Sequence, residues 1–374
     1  MKKAIITSIF CLLAWLCGAQ NAEDFRAAAE RGDAEAQFNL GRCYYFGNGV
    51  EADYDTALAW WKLAANAGNA KAQRNLGNLY YNGHVVDQDY REAAKWFRAA
   101  AEQGLKDAQY NLGACYYYGN GVMQNLLEAS KWFRAAAEKG VAGAQESLGT
   151  CYYNGDGVAQ DYKQAVRWFR AAAEQGLSSS QYIVSTLYYR GVGTDTNYVE
   201  AARWARAAAK QGVAKAQYNL GSYYQLGHGV AIDSAEALGW FEKAAEQGLV
   251  EAQYKAGICY KRGEGTPRDD TKAAEWFTKA AKQGLAMAQC DLGLCYDRGE
   301  GVPQSKELAV EWYRAAANQG NAQAQYNLAL CYYNGEGVPQ NRAVAASWFR
   351  KAANQGDIDA AEALELMPKY GKKR

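Results

Sequence analysis

A single period governs this chain: Trp recurs at 60, 96, 132, 168, 204, 240, 276, 312 and 348, one every 36 residues. Gln keeps the same step from 37 to 325, and Gly from 32 to 356. Nine copies follow one another without insertion or deletion. A chain of 374 residues is too long for one ordinary core, and a strict period predicts an open-ended array in which each copy buries its apolar face against its neighbours.

The third copy shows the local pattern. Ala108, Leu112 and Tyr116 stand at i, i+4 and i+8 with Cys115 beside them, a helical stripe that we call helix A. It runs into Tyr118-Gly119-Asn120-Gly121, where two glycines supply positive φ for a helix end and a turn. Ala129, Trp132, Phe133, Ala136 and Ala137 then form the apolar face of helix B, which stops at Gly140. Ala recurs at 57 and every 36 residues to 345, and an Ala-Ala pair follows in every copy. Seven of the nine copies carry Gly inside helix A, at 41, 77, 113, 149, 221, 257 and 293. A mid-helix Gly costs about 1 kcal/mol against Ala, so a second helix must approach there, with the Trp of helix B as the expected neighbour. Tyr at all nine equivalents of Tyr44 is expected to pack.

The pattern A-x-x-x-L-G-x-x-Y-x-x-G-x-G-V followed by A-x-x-W-F-x-x-A-A-x-x-G resembles the Sel1-like repeat, a relative of the tetratricopeptide repeat, from about residue 21 to 367. The resemblance implies an all-α, right-handed α-solenoid of helix-turn-helix units. It also implies a non-catalytic adaptor that binds a protein or peptide, with helix A on the concave side. Residues 20–32 match the second half of a helix B, 33–356 hold the nine repeats, and 357–374 give a capping helix and basic tail, with Pro368 where the packing Tyr would stand. Numbered from 33, repeat five (177–212) departs most, with Ser185 for the helix A Gly, Ile183 for Asn, Ala205 for the aromatic after Trp204, and Ser178 to Ser180 opening the helix. Sequence drift or a bend would each account for this.

Met1-Lys2-Lys3, the apolar run Ala4 to Leu16, and Cys17-Gly18-Ala19 have the anatomy of a signal segment cleaved after Ala19. Bulky Leu16 argues against acylation at Cys17. The expected destination is periplasmic or secreted, with no integral membrane segment after cleavage. Lys and Arg number 41 against 40 Asp and Glu, which leaves no footprint for nucleic acid.

Seven cysteines follow residue 19, six of them (43, 115, 151, 259, 295 and 331) at one position of helix A. Equivalent positions in adjacent repeats lie about 10 Å apart, beyond disulfide reach, so free core thiols are expected. Some Sel1-like proteins clip each unit with a Cys pair between helices, and this sequence has no second Cys per unit; Cys290 with Cys295, five apart in one helix, point to different faces, which disfavours a bridge but leaves it open. His84 and His228 occupy the A-to-B turn four repeats apart, about 40 Å by the same spacing. They cannot share a metal or a base role, and an αL-like turn conformation is expected for each. No P-loop, dinucleotide fingerprint or H-E-x-x-H is present. No enzyme activity and no cofactor are expected.

Specificity must then lie where copies vary. On helix A the equivalents of 110, 114 and 117 share one face and are rich in aromatics: Phe38/Arg42/Tyr45, Tyr110/Ala114/Tyr117 with adjacent Tyr118, Tyr182/Thr186/Tyr189, Tyr218/Ser222/Gln225 and Tyr326/Leu330/Tyr333. Tyr and Arg are common binding hot spots, although some of these rings could merely seal adjacent helices. Lys261, Arg262, Asp297 and Arg298 change the stripe to charge in repeats seven and eight, which predicts a two-part groove. Besides a protein or peptide, a Tyr- and Trp-rich groove could stack an envelope glycan, as a polysaccharide-assembly scaffold would, or serve a secreted effector that engages host proteins.

Overall fold

The computed structural model describes residues 21–367. The expected signal segment with Cys17, Pro368 and the basic tail lie outside the described residues. Among the described residues there are 20 helices and no strand, an all-α helical-repeat solenoid. Flanking helices Ala22–Glu30 and Ile358–Leu366 stand before and after the nine A–B pairs. In repeat three, helix A spans Lys106–Tyr118 and helix B Leu126–Glu138.

Local chemistry sets these boundaries. Helix B opens on a polar cap whose side chain accepts a backbone N–H of the first turn, as Asp89 does from Glu92 at 3.1 Å. Helix A closes on a left-handed glycine, such as Gly119 at φ 77°, whose N–H returns to the Cys115 carbonyl. The second glycine of the turn meets the preceding repeat: a Cβ at Gly265 would overlap the Ser234 carbonyl at the start of that repeat's helix B. The residue between the glycines is not left-handed, because no non-glycine among the described residues has positive φ. This corrects the αL expectation for His84 and His228: the conformation is carried by Gly83 before His84, which Val85 follows, and by Gly227 and Gly229 on either side of His228.

The helix A glycines are required by contact, but the neighbour is the residue after the periodic Trp. A Cβ at Gly113 would meet the Phe133 ring at 2.7 Å, and one at Gly257 the Phe277 ring at 2.6 Å. Those rings are buried, whereas Trp132 and Trp276 are half-exposed and pack on the preceding repeat's core. Consecutive helix positions are about 100° apart, so the two aromatics point to different helices. The all-Tyr position also does more than pack: its carbonyl accepts the helix B cap N–H, as Tyr116 does from Asn125 at 3.0 Å. Its hydroxyl meets the preceding helix B, as in Arg98 to Tyr116 at 2.9 Å.

The periodic Gln is a buried connector. Gln253 donates Nε2 to the Ala245 carbonyl of the preceding helix B at 3.1 Å, and its Oε1 accepts from Gln283 of its own repeat at 2.8 Å. Repeats one and three carry Ala67 and Lys139 where the second Gln would stand, and there the buried Gln37 and Gln109 carbonyl oxygens lack a partner. An Ala67→Gln variant is expected to gain about 0.5–1.5 kcal/mol by satisfying Gln37, seen as a higher denaturation midpoint. Lys139→Gln should gain less, because Lys139 already bonds the Gly104 carbonyl at 2.7 Å.

The described chain divides into two compact blocks, one ending at Ser180 and including Val192–Thr194, the other comprising Gln181–Gly191 and the chain from Asp195. The division falls in repeat five, and the second block shows what its substitutions do. Ser185 is buried and donates Oγ to the Ala201 carbonyl at 2.8 Å. Its side chain fits because Ala205 stands where other repeats have the ring. Tyr223, at the position that carries Cys in six repeats, brings its hydroxyl to 3.5 Å from the Ser185 Oγ and stacks on Tyr189 at 5.1 Å. The aromatic has moved from one helix to the next.

Candidate functional site

Pockets open between successive A helices along the varied stripe. Tyr110, Ala114, Tyr117 and Tyr118 wall one of about 170 Å³ with Glu146, Ser147 and Thr150, and Tyr110 and Tyr118 also border an adjoining one of about 340 Å³ with Tyr81 and Asn111. Tyr182, Thr186, Tyr189, Tyr218, Ser222 and Gln225 share one of about 420 Å³. Tyr326 and Leu330 line one of about 600 Å³ with Asp291, Asp297, Arg298 and Glu336. The stripe therefore collects candidates from different repeats into common cavities.

Their availability differs. Tyr118 is 68 % exposed, whereas Phe38 is 5 % exposed and belongs to the core, its carbonyl accepting from Trp61 at 3.1 Å. Tyr45 packs among Phe46, Tyr54 and Trp61 with centroids 5.1–5.2 Å away, and Arg42 is exposed with its guanidinium 5.9 Å from the Phe38 ring. Tyr333 faces the Arg342 guanidinium at 5.4 Å. Tyr110 and Tyr326 lean on Phe133 and Phe349 at 5.9 and 5.6 Å.

A connection that sequence reading missed joins the third stripe residue to the turn residue 39 positions on. Tyr81 accepts from Asn120 at 2.9 Å, Tyr117 donates to Asp156 at 2.9 Å, Tyr189 pairs with His228 at 3.3 Å, and Gln225 donates to Glu264 at 3.2 Å. Lys261 meets Glu300 in the same relation. Burial, reinforced by Asp156, pushes the Tyr117 phenol up to about 12. His228 is thus a stripe partner, stacked also on Tyr198 at 4.6 Å. The varying residue types at these two positions, compared across repeats, carried the signal.

The charged end is largely self-paired. Lys261 bridges Asp270 at 3.3 Å as well as Glu300, and Lys306 bridges Asp297 at 2.7 Å and Glu336 at 2.9 Å. Asp297 and Glu336 are a like-charged stripe–turn pair held by one ammonium. Hydrogen bonding to Asp297 and Glu336 raises Lys306, and the Lys306 contact lowers the Glu336 carboxyl. A Lys306→Met variant is expected to lose on the order of 1 kcal/mol near neutral pH, as these groups are partly exposed. Glu336 is depressed, so its share holds above the ordinary value of 4.5 and fades as pH falls through its folded value. Lys306 is raised, so its share fades only as pH rises from 10.5 through its own folded value. Denaturation midpoints of the two proteins should therefore converge below pH 4.5.

The seven described cysteines, Cys290 and Cys295 included, are free and buried. Desolvation pushes the thiols up, Cys115 to about 11 and Cys290 to about 12, as inert core residues require. Among the described residues no group of three or more His, Cys, Asp or Glu is placed to hold a metal ion, and no helix is long and apolar enough to cross a membrane.

The Sel1 repeat model matches nine consecutive segments, from 34–69 to 322–357. A protective antigen of uropathogenic Escherichia coli with an SLR fold is 37% identical, with a TM-score of 0.76 over 92% of this chain and 82% of that one. A Sel1 repeat protein from Oxalobacter formigenes is also 37% identical, with a TM-score of 0.61 over 83% and 89%. No curated protein matches the chain. Sel1 repeat proteins generally mediate protein–protein interaction and are generally non-catalytic scaffolds. With its repeats matched from 34 to 357, and with the helix A glycine, the aromatic it receives and the Gln connector explaining why they stack, the chain belongs to the Sel1 repeat family.

Proposed function

We propose that the protein is an exported, non-catalytic scaffold that holds a protein or peptide against its A-helix face, the side that the family resemblance makes concave. The observation that carries this reading is the separation of roles on helix A. The recurring Ala, Gln, Leu and Gly positions are buried, while the varied positions between them wall the pockets. Export is supported by the signal anatomy of the first 19 residues.

The test uses residues that present a ring without anchoring a turn. Tyr118→Ala with Tyr182→Ala in the full chain is expected to lower capture of a crosslinked protein partner from envelope and culture-supernatant fractions, quantified by mass spectrometry. Hot-spot tyrosines contribute about 2 kcal/mol each, roughly thirtyfold in affinity. Unchanged capture by a variant with an unchanged denaturation midpoint would overturn the reading, as would binding to purified glycans alone.

A further inference from the structure

We propose that the pocket framed by Tyr182, Tyr189 and Tyr218 receives an acidic peptide segment, its carboxylates against Arg190 and Lys255 and a neighbouring aromatic or aliphatic side chain on the tyrosine rings. The inference rests on the scaffold reading above and assigns a partner chemistry to one part of that face.

Charge carries it. The walls of this cavity of about 420 Å³ include Arg190 and Lys255 and no carboxylate. Among the described residues neither cation belongs to an ion pair, although Lys261, Arg262, Arg268 and Lys306 farther along the chain are all paired. Lys255 is half-buried and stands where five other repeats have Asn, at 39, 75, 111, 219 and 327. Its ammonium has only a neutral acceptor, the Gln225 Oε1 at 3.4 Å, while the Gln225 amide is directed to Glu264 at 3.2 Å. A partly desolvated ammonium without a counterion is best satisfied by an incoming anion. The cavity in repeats eight and nine is lined mainly by acid, Asp291, Asp297 and Glu336 against the single cation Arg298, and the whole chain is nearly neutral at +1. The cationic character therefore belongs to this cavity and not to a general field.

The tyrosines supply the second half of recognition. Tyr223 enters the wall only because Ala205 leaves it room, and it stacks on Tyr189 at 5.1 Å, so the ring surface is rigid. Rigid aromatic area beside a charge suits a segment in which acidic and apolar side chains alternate.

Peptides selected on the full chain from a random display library are expected to carry Asp or Glu next to aromatic or aliphatic residues. In fluorescence anisotropy, an alternating Glu-Tyr peptide should bind at least about tenfold tighter than its Gln-Tyr isostere, the loss of one charge-assisted contact, and the advantage should shrink with added salt. Arg190→Gln with Lys255→Gln should remove that advantage, leave the isostere's affinity unchanged and leave the denaturation midpoint in place. Equal affinity for the two peptides, with Tyr182→Ala still abolishing binding, would overturn this inference and leave the scaffold reading standing. If no displayed peptide binds in a way that the A-helix tyrosines affect, both fail. Binding of polygalacturonate in place of either peptide, lost on the same double substitution, would also overturn it.

Discussion

Truncation of Tyr223 to Ala is expected to cost about 3–5 kcal/mol, the range for removing a buried aromatic from a packed core. Tyr223 is 4 % exposed, and its ring is the aromatic of the repeat-five core, where helix B offers only Ala205. Ala205→Phe alone should also destabilise, by about 1–3 kcal/mol, because the new ring would meet the Ser185 side chain and Tyr223 together. The combination Ser185→Gly, Ala205→Phe and Tyr223→Cys rebuilds the arrangement of repeat seven, where Gly257 receives Phe277 and Cys295 stands at the third position. It should recover most of the loss, because the three sites share one space and their effects cannot add. Urea midpoints with hydrogen exchange of the 214–226 amides would measure this. A triple variant as unstable as the sum of the single changes would show that repeat five is unrelated to its neighbours' packing scheme.

Replacement of Gln253 by Leu is expected to cost about 1–3 kcal/mol, the desolvation of buried groups left without a partner. One side chain serves two neighbours, the Ala245 carbonyl in the preceding repeat and the Gln283 amide in its own. Leu keeps the volume and removes both bonds. The effect should be local, since each repeat touches mainly its neighbours, so exchange protection should fall in helices 234–246 and 250–262 before it falls elsewhere. Gln253→Glu would separate hydrogen bonding from shape: it retains the acceptor for Gln283, loses the donor to Ala245 and adds a buried charge. It should be at least as damaging as Leu.

Much of this was legible in the chain itself. Helix lengths, turns and stacking followed from Gly, Ala and the aromatics recurring in step, because a helix must bury the same face in every copy. The partner of the helix A glycine was not legible. Trp132 and Phe133 are adjacent and both apolar, and only packing shows that Phe133 meets Gly113 while Trp132 seals the preceding repeat. The stripe–turn pairs join residues 39 apart, outside any local window. Phe38 looked like its stripe equivalents and proved to be core, since a helical face is continuous and the neighbouring helix decides where burial ends.

The period of residues 33–356 by itself determined a helical array. Only the tertiary structure decided which varied residues share a cavity, bringing Arg190 and Lys255 of different repeats to one cavity and sequestering Asp297 and Glu336 on Lys306. The reason is physical: a repeat period encodes contacts that are the same in every copy, whereas charge and cavity at a given place depend on which unlike side chains stacking sets side by side.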